Sequence, residues 1–280
     1  MTFHAICRFR PVVFTPAVFA ILSLTLAAPA AAQDARPWMS HMVEAMKDLG
    51  AKNYAAAEQA YLRALREAEA FAPNDARRGS TLNSLGLVYR AEKKYSESEA
   101  AYRRALPIMQ TAFGDSIDVA NVNFNIAGVL FDEGRPADAM PGLEAARATY
   151  ERLLGPGSLK TAGVLCLQGD ANRAMKHYPE AEALLRRCSD IREADSGLNS
   201  NDLADAQYSL ALAFMAEGKY SAAEPRLQLV EKIREKTLGI TSPLLAQTME
   251  DHALVLKQLG REHEAAKLTT IAAAIRHSQK

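Results

Sequence analysis

The clearest alternation of apolar and polar positions runs from Leu82 to Leu106. Leu82, Leu85 and Tyr89 fall three and four residues apart, and the small Gly86 lies on the same helical face. A polar break follows at Lys93-Lys94, after which Ser98, Tyr102 and Ala105 repeat the spacing of four and three. This pattern predicts two amphipathic helices joined by a tight turn. No strand-like alternation is visible elsewhere.

The same unit recurs along the chain, and its turn position gives the period. Tyr54, Tyr95, Pro136, Tyr178, Tyr220 and Glu262 occupy it, spaced by 41, 41, 42, 42 and 42 residues. Small residues in the middle of the first helix keep that period: Ala45, Gly86, Ala127, Gly169, Ala211 and Ala253. So do those early in the second helix: Ala57, Ser98, Ala139, Ala181, Ala223 and Ala265. Helix axes approach closely only where the side chains between them are small, so these positions mark the crossing within each pair. Tyr61, Tyr102, Leu143, Leu185 and Leu227 then fill the wider space beyond it. Gly114, Gly155, Gly197 and Gly239 mark the loop to the next unit. At the start of two second helices, Ser96 with Glu99 and Ser221 with Glu224 have the Ser-x-x-Glu spacing that predicts a reciprocal side-chain cap.

The series of small residue, turn aromatic, Ala, aromatic and Ala resembles the tetratricopeptide repeat (TPR). The 42-residue period, with Gly218-Lys219-Tyr220-Ser221-Ala222-Ala223-Glu224-Pro225 and Glu231-Lys232-Ile233-Arg234-Glu235-Lys236-Thr237-Leu238-Gly239, is similar to the kinesin-light-chain variety. The resemblance covers residues 41–276. Pro136 in place of the turn tyrosine, an indistinct first helix in the first unit and Glu262 in the last depart from it. It implies an all-α fold, a right-handed superhelical solenoid of about six helix-turn-helix repeats. It also implies a concave groove, lined by the first helices, that receives a peptide or helix of a protein partner.

Side chains on the first helices away from the crossing are then the candidates for that groove. They are Asn83, Leu87 and Arg90 in the second unit, and Asn121, Phe124, Asn125 and Phe131 in the third. Asp170 and Arg173 follow in the fourth unit, Tyr208 and Met215 in the fifth. Asparagine is a poor helix former, yet Asn83, Asn121 and Asn125 crowd two adjacent first helices. An amide donates and accepts at once, which suits an extended peptide backbone. The alternative is that these amides are solvated or bond the loop of a neighbouring repeat.

Composition narrows the function further. Of 280 residues 49% are hydrophobic, and glycine and proline are few, as befits a helical globular chain. Lys+Arg and Asp+Glu balance at 33 each, so no basic surface for nucleic acid is indicated. Outside the first residues the histidines are His41, His177, His252, His263 and His277, and none pairs at the helical spacing of a metal site. A Cys–His nucleophile would need His177 beside Cys166 or Cys188, but His177 falls in the turn at the far end of that pair. The expectation is therefore no catalysis, no metal and no cofactor.

The N-terminus reads as an export signal. Arg8 and Arg10 precede an uncharged apolar run from Val12 to Ala28, and Ala30-Ala31-Ala32 supplies small residues before Gln33. The expected organisation is a cleaved signal over 1–32, a lead-in over 33–40, the TPR array over 41–276 and a tail over 277–280. Pro11, Pro16 and Pro29 interrupt the apolar run below the roughly 20 residues of a membrane span, which speaks against an uncleaved anchor. A bacterial periplasmic or secreted location follows, with no membrane insertion once the signal is removed; oligomeric state is left open. Cys7 lies in the signal, whereas Cys166 and Cys188 are a candidate disulfide in an oxidising compartment. The competing reading has Cys188 in the core, Cys166 facing the groove and the sulfurs too far apart.

Overall fold

The computed structural model describes residues 35–197 and 200–278. The expected signal, with Cys7 in it, lies outside the described residues, as do the last two residues of the tail. Among the described residues there are twelve helices and no strand. They follow one another as pairs: α1 (Arg36–Gly50) with α2 (Tyr54–Ala68), α3 (Ala76–Ala91) with α4 (Tyr95–Phe113), and α5 (Ile117–Asp132) with α6 (Pro136–Leu154). Then come α7 (Leu159–Ala174) with α8 (Tyr178–Ser196), α9 (Asn201–Ala216) with α10 (Tyr220–Leu238), and α11 (Pro243–Gln258) with α12 (Glu262–His277). Helix α1 thus begins inside the stretch expected to be a lead-in.

Each pair closes where the small residues predict. Ala45, Ala127, Ala211 and Ala253 on first helices are buried, as are Ala57, Ser98, Ala139, Ala181, Ala223 and Ala265 on second helices. In the second pair the crossing also carries a hydrogen bond, Ser98 Oγ donating to the Gly86 carbonyl at 2.7 Å. Inside every pair one residue turns the chain with positive φ: Lys52, Lys93, Gly134, Lys176, Gly218 and Gly260.

The capping chemistry differs from the sequence expectation. Side-chain caps sit on first helices, where Asp75, Ser116, Ser158, Ser200 and Ser242 each accept a backbone N–H of the first turn. The second helices start at Tyr95 and Tyr220, so Ser96 and Ser221 are already inside them, and Lys94 and Lys219 stand at the N-cap without a side-chain cap. The reason is a stronger competitor for the glutamates. Glu99 accepts from Arg103 at 2.6 Å and Arg135 at 2.9 Å, and Glu224 accepts from Arg261 at 2.5 Å. A guanidinium gives the carboxylate a full opposite charge as well as a hydrogen bond, which a backbone amide does not.

The described helices fall into two compact units, one ending at Thr149 and the other running from Tyr150, so the division falls within α6. In the N-terminal unit each helix packs on the next, α1 on α2 through to α4 on α5, and α3 touches α5. Trp38 Nε1 donates to Thr81 at 2.9 Å and its ring meets Phe71 edge-on at 6.4 Å, with the Arg77 guanidinium stacked over Phe71. In the C-terminal unit the same succession runs from α7 to α12, with α7 touching α9. There Cys166 of α7 and Cys188 of α8 are joined in a disulfide, and both are buried.

Candidate protein-binding surface

Along α3 every residue from Gly79 to Val88 is buried, so this helix is enclosed on all sides rather than amphipathic. The middle turns of α5, α7 and α9 are almost as fully enclosed. This changes the standing of the sequence candidates. Asn83 and Asn125 are 0% exposed, and Leu87, Asn121, Phe124, Asp170 and Tyr208 are buried too. Enclosed in this way, they line no open groove. They were expected off the packing face because a polar residue on a helix suggests solvent; here each has company inside.

In the N-terminal unit the Asn125 side chain donates to Asn83 Oδ1 at 3.1 Å, one amide from each of two neighbouring first helices. In the C-terminal unit Asp170 accepts from Arg173 at 3.2 Å and from Ser209 of the next first helix at 3.2 Å. Burial pushes the Asp170 carboxyl above its usual range, and the Arg173 guanidinium beside it opposes the shift only in part. Tyr208 donates its hydroxyl to Asp251 of α11 and lies under the Arg234 guanidinium, 4.6 Å from the ring centroid. Burial raises the pKa of both Tyr208 and Asp251, which favours their protonated forms. These bonds tie one first helix to the next; a buried polar group must be satisfied, and the partner is a repeat away.

Arg90, Phe131, Arg173 and Met215 have a different setting. All four are partly exposed, the Arg90 and Arg173 side chains to only 10% and 14%, and stand at one register, near the C-terminal ends of α3, α5, α7 and α9. Leu49 of α1 is half-exposed and Lys257 of α11 exposed at that register. Arg90 is fixed in place by Asp132 at 2.7 Å and the Gly128 carbonyl at 3.3 Å, and Arg173 by Asp170. In the N-terminal unit the row reads Leu49, Arg90, Phe131; in the C-terminal unit it reads Arg173, Met215, Lys257. Apolar and cationic side chains thus alternate with a spacing set by the pairs, on helices too tightly packed to move them.

Two features were not found in the sequence. Arg234 of α10 is 1% exposed and spans to Asp205 at 2.8 Å and Thr248 at 2.7 Å. The second is a row of ion pairs between neighbouring second helices: Lys94–Glu58 at 2.7 Å and Arg135–Glu99 at 2.9 Å in the N-terminal unit. In the C-terminal unit the row comprises Lys219–Glu182 at 3.2 Å and Arg261–Glu224 at 2.5 Å. Its signal was legible, since each cation immediately precedes the turn position of its pair. Among the described residues no helix is long and apolar enough to cross a membrane. Nor does any group of three His, Cys, Asp or Glu there stand ready for a metal.

Comparison with known proteins agrees with this arrangement. The tetratricopeptide repeat family model matches residues 48–111 and 118–194, together half of the chain. Kinesin light chain-related protein 2 of Arabidopsis thaliana is 24% identical over 187 residues, which are 63% of this chain and 27% of that protein. The chain therefore spans about a quarter of the length of that relative. Among solved structures, BtubC of P. vanneervenii superposes with a TM-score of 0.65 at 17% identity, over 87% of this chain and 91% of that one. A Rap protein complexed with competence and sporulation factor gives 0.59 at 20% identity, over 86% and 75%. At such identities the structures speak for the fold alone. The repeat period, the helix pairs and the family match converge: this chain belongs to the tetratricopeptide repeat family, in its kinesin-light-chain-like form.

Proposed function

We propose that the chain is a non-catalytic scaffold that binds a peptide or helix of a partner protein along the partly exposed ends of the first helices within each unit. Interaction between proteins is the work suggested by a repeat array of this family; the place of contact is our reading. The observation that carries it is the shared register of Arg90 and Phe131 in one unit and Arg173 and Met215 in the other. A helix buried all round cannot offer its middle to a ligand without coming apart. The row gives apolar contacts from Phe131 and Met215 beside the cationic edges of Arg90 and Arg173, which are fixed by their neighbours. A partner bound there orders few side chains on this protein, so little affinity is lost to entropy.

The export signal expected over residues 1–32 supports a periplasmic or secreted bacterial setting, and the array over 41–276 would be the working part there. A partner captured from envelope extract on the immobilised chain beginning at Gln33 tests the reading. Phe131→Ala combined with Met215→Ala should abolish most of that capture while helicity by circular dichroism stays unchanged. Equal capture by parent and variant would move the contact elsewhere.

A further inference from the structure

Within each unit, neighbouring pairs meet through fixed positions on their first helices. The residue two before the small crossing residue faces the preceding pair: Asn125 reaches Asn83, and Ser209 reaches Asp170. The residues three before and one after the crossing lie one turn apart on the stripe that faces the following pair, as Asn83 does in receiving Asn125 and Asp170 in receiving Ser209. In the first pair the backward-facing position holds Val43, and in the last pair the forward-facing stripe holds Glu250 and Leu254. Val43 is 60% exposed and Leu254 is 53% exposed. Each is an aliphatic side chain in water, at a place where every inner pair keeps its residue buried or partly buried. The backward-facing stripe of α1, comprising Ser40, Val43, Lys47 and Gly50, is exposed along its length.

We infer that a second copy of this chain docks here head to tail, the last pair of one molecule receiving the first pair of the next. The argument is continuity of an interface the protein already builds. Leu254 of one copy takes the role of Asp170, and Val43 of the other takes the role of Ser209, an apolar pair replacing a polar one. End repeats of an array ordinarily turn a polar face to water, and here one exposed aliphatic side chain interrupts each of the two polar end faces. The charges agree. The ion-pair row between second helices would place a glutamate at position 266 and a cation at position 53, but the chain has Ala266 and Asn53. Joining the two ends therefore strands no charge. Such an interface is heterologous, so unless the rotation closes into a ring it continues as an open chain of molecules.

The test uses the chain from Gln33 onward, which keeps every described helix, and follows its mass by light scattering and sedimentation as concentration rises. The weight-average mass should climb past that of a dimer. Val43→Glu and Leu254→Glu, both at exposed sites that the fold tolerates, should each remain monomeric. An equimolar mixture of the two variants should form a dimer and grow no further, because one variant keeps a sound tail and the other a sound head. A parent that stays monomeric throughout overturns the inference. So does a mixture that stays monomeric, or single variants that associate as the parent does. This inference is independent of the partner-binding row, whose loss would leave association intact.

Discussion

Replacing Gly86 by alanine would set a methyl carbon 2.7 Å from Tyr102 Cε1 and within 2.9 Å of two further ring atoms. In an exposed helix the exchange would be favourable by about 1 kcal/mol, since glycine is the poorer helix former. Here the ring it meets is fully buried, with no open side to turn to. Overpacking of that kind typically costs about 1–3 kcal/mol. The net expectation is destabilisation by about 1 kcal/mol, against the direction of helix propensity. Gly79, on the same helix, supplies the control. A methyl there meets Met109 Sδ at 2.7 Å and Cγ at 2.9 Å, atoms of a flexible side chain that can change rotamer. Gly79→Ala should therefore be near neutral. Urea unfolding followed by far-ultraviolet circular dichroism measures both, and the single tryptophan, Trp38, reports on the same unit by fluorescence. Tyr102→Leu should rescue Gly86→Ala, because Ala with Leu is the combination at positions 127 and 143 and again at 211 and 227. The reasoning fails if Gly86→Ala equals or exceeds the parent in stability, or if the double variant shows no coupling.

Other consequences are open to simple measurement. Lys93 holds φ of 62°, so Lys93→Gly should raise stability by up to about 1 kcal/mol in the same urea titration, whereas Gly134→Lys should lower it. Asp75 caps α3 and pairs with Arg77; burial raises its pKa, but the bonds from Arg77 outweigh it and the net shift is downward. A depressed carboxyl stabilises the fold above its unfolded value of 3.8 and loses that contribution as pH falls through the folded value. Asp75→Ala should accordingly cost about 1 kcal/mol at pH 7 and progressively less below pH 4, read by thermal melts across that range. Arg234→Leu leaves Asp205 buried without its cation and should destabilise the C-terminal unit by about 3 kcal/mol or more in calorimetry, with Arg234→Leu/Asp205→Leu recovering much of the loss.

How far the sequence could be read depended on how local each cause was. The crossing residues were legible because sterics within one pair demand a small side chain at a fixed place, and six copies make the demand visible. The first-helix caps Ser116, Ser158, Ser200 and Ser242 repeat every 42 residues and could have been read the same way. Ser96 and Ser221 mimic a cap, because the spacing coincides with glutamates that arginines take up. The enclosure of α3, α5, α7 and α9 was hidden for another reason. Asn83, Asp170 and Tyr208 look like surface residues until their partners Asn125, Ser209 and Asp251 are placed beside them, 42, 39 and 43 residues away. Nothing in a window of one helix discloses such a bond. The register of Arg90, Phe131, Arg173 and Met215 differs from the buried candidates only in what encloses each helix, which no single helix sequence contains.

The row of Lys and Arg to Glu contacts has a mechanical consequence. Within each unit neighbouring pairs are held at two places of different physical kind. One is buried on the first helices, through bonds such as Asn83–Asn125 and Asp170–Ser209; the other is ionic and half-exposed, at the starts of the second helices. Dissolved salt screens the ionic edge and leaves the buried one nearly untouched. The buried contacts then act as a pivot and the ion pairs as adjustable stays, so rising ionic strength makes the stack more compliant in bending without loosening its cohesion.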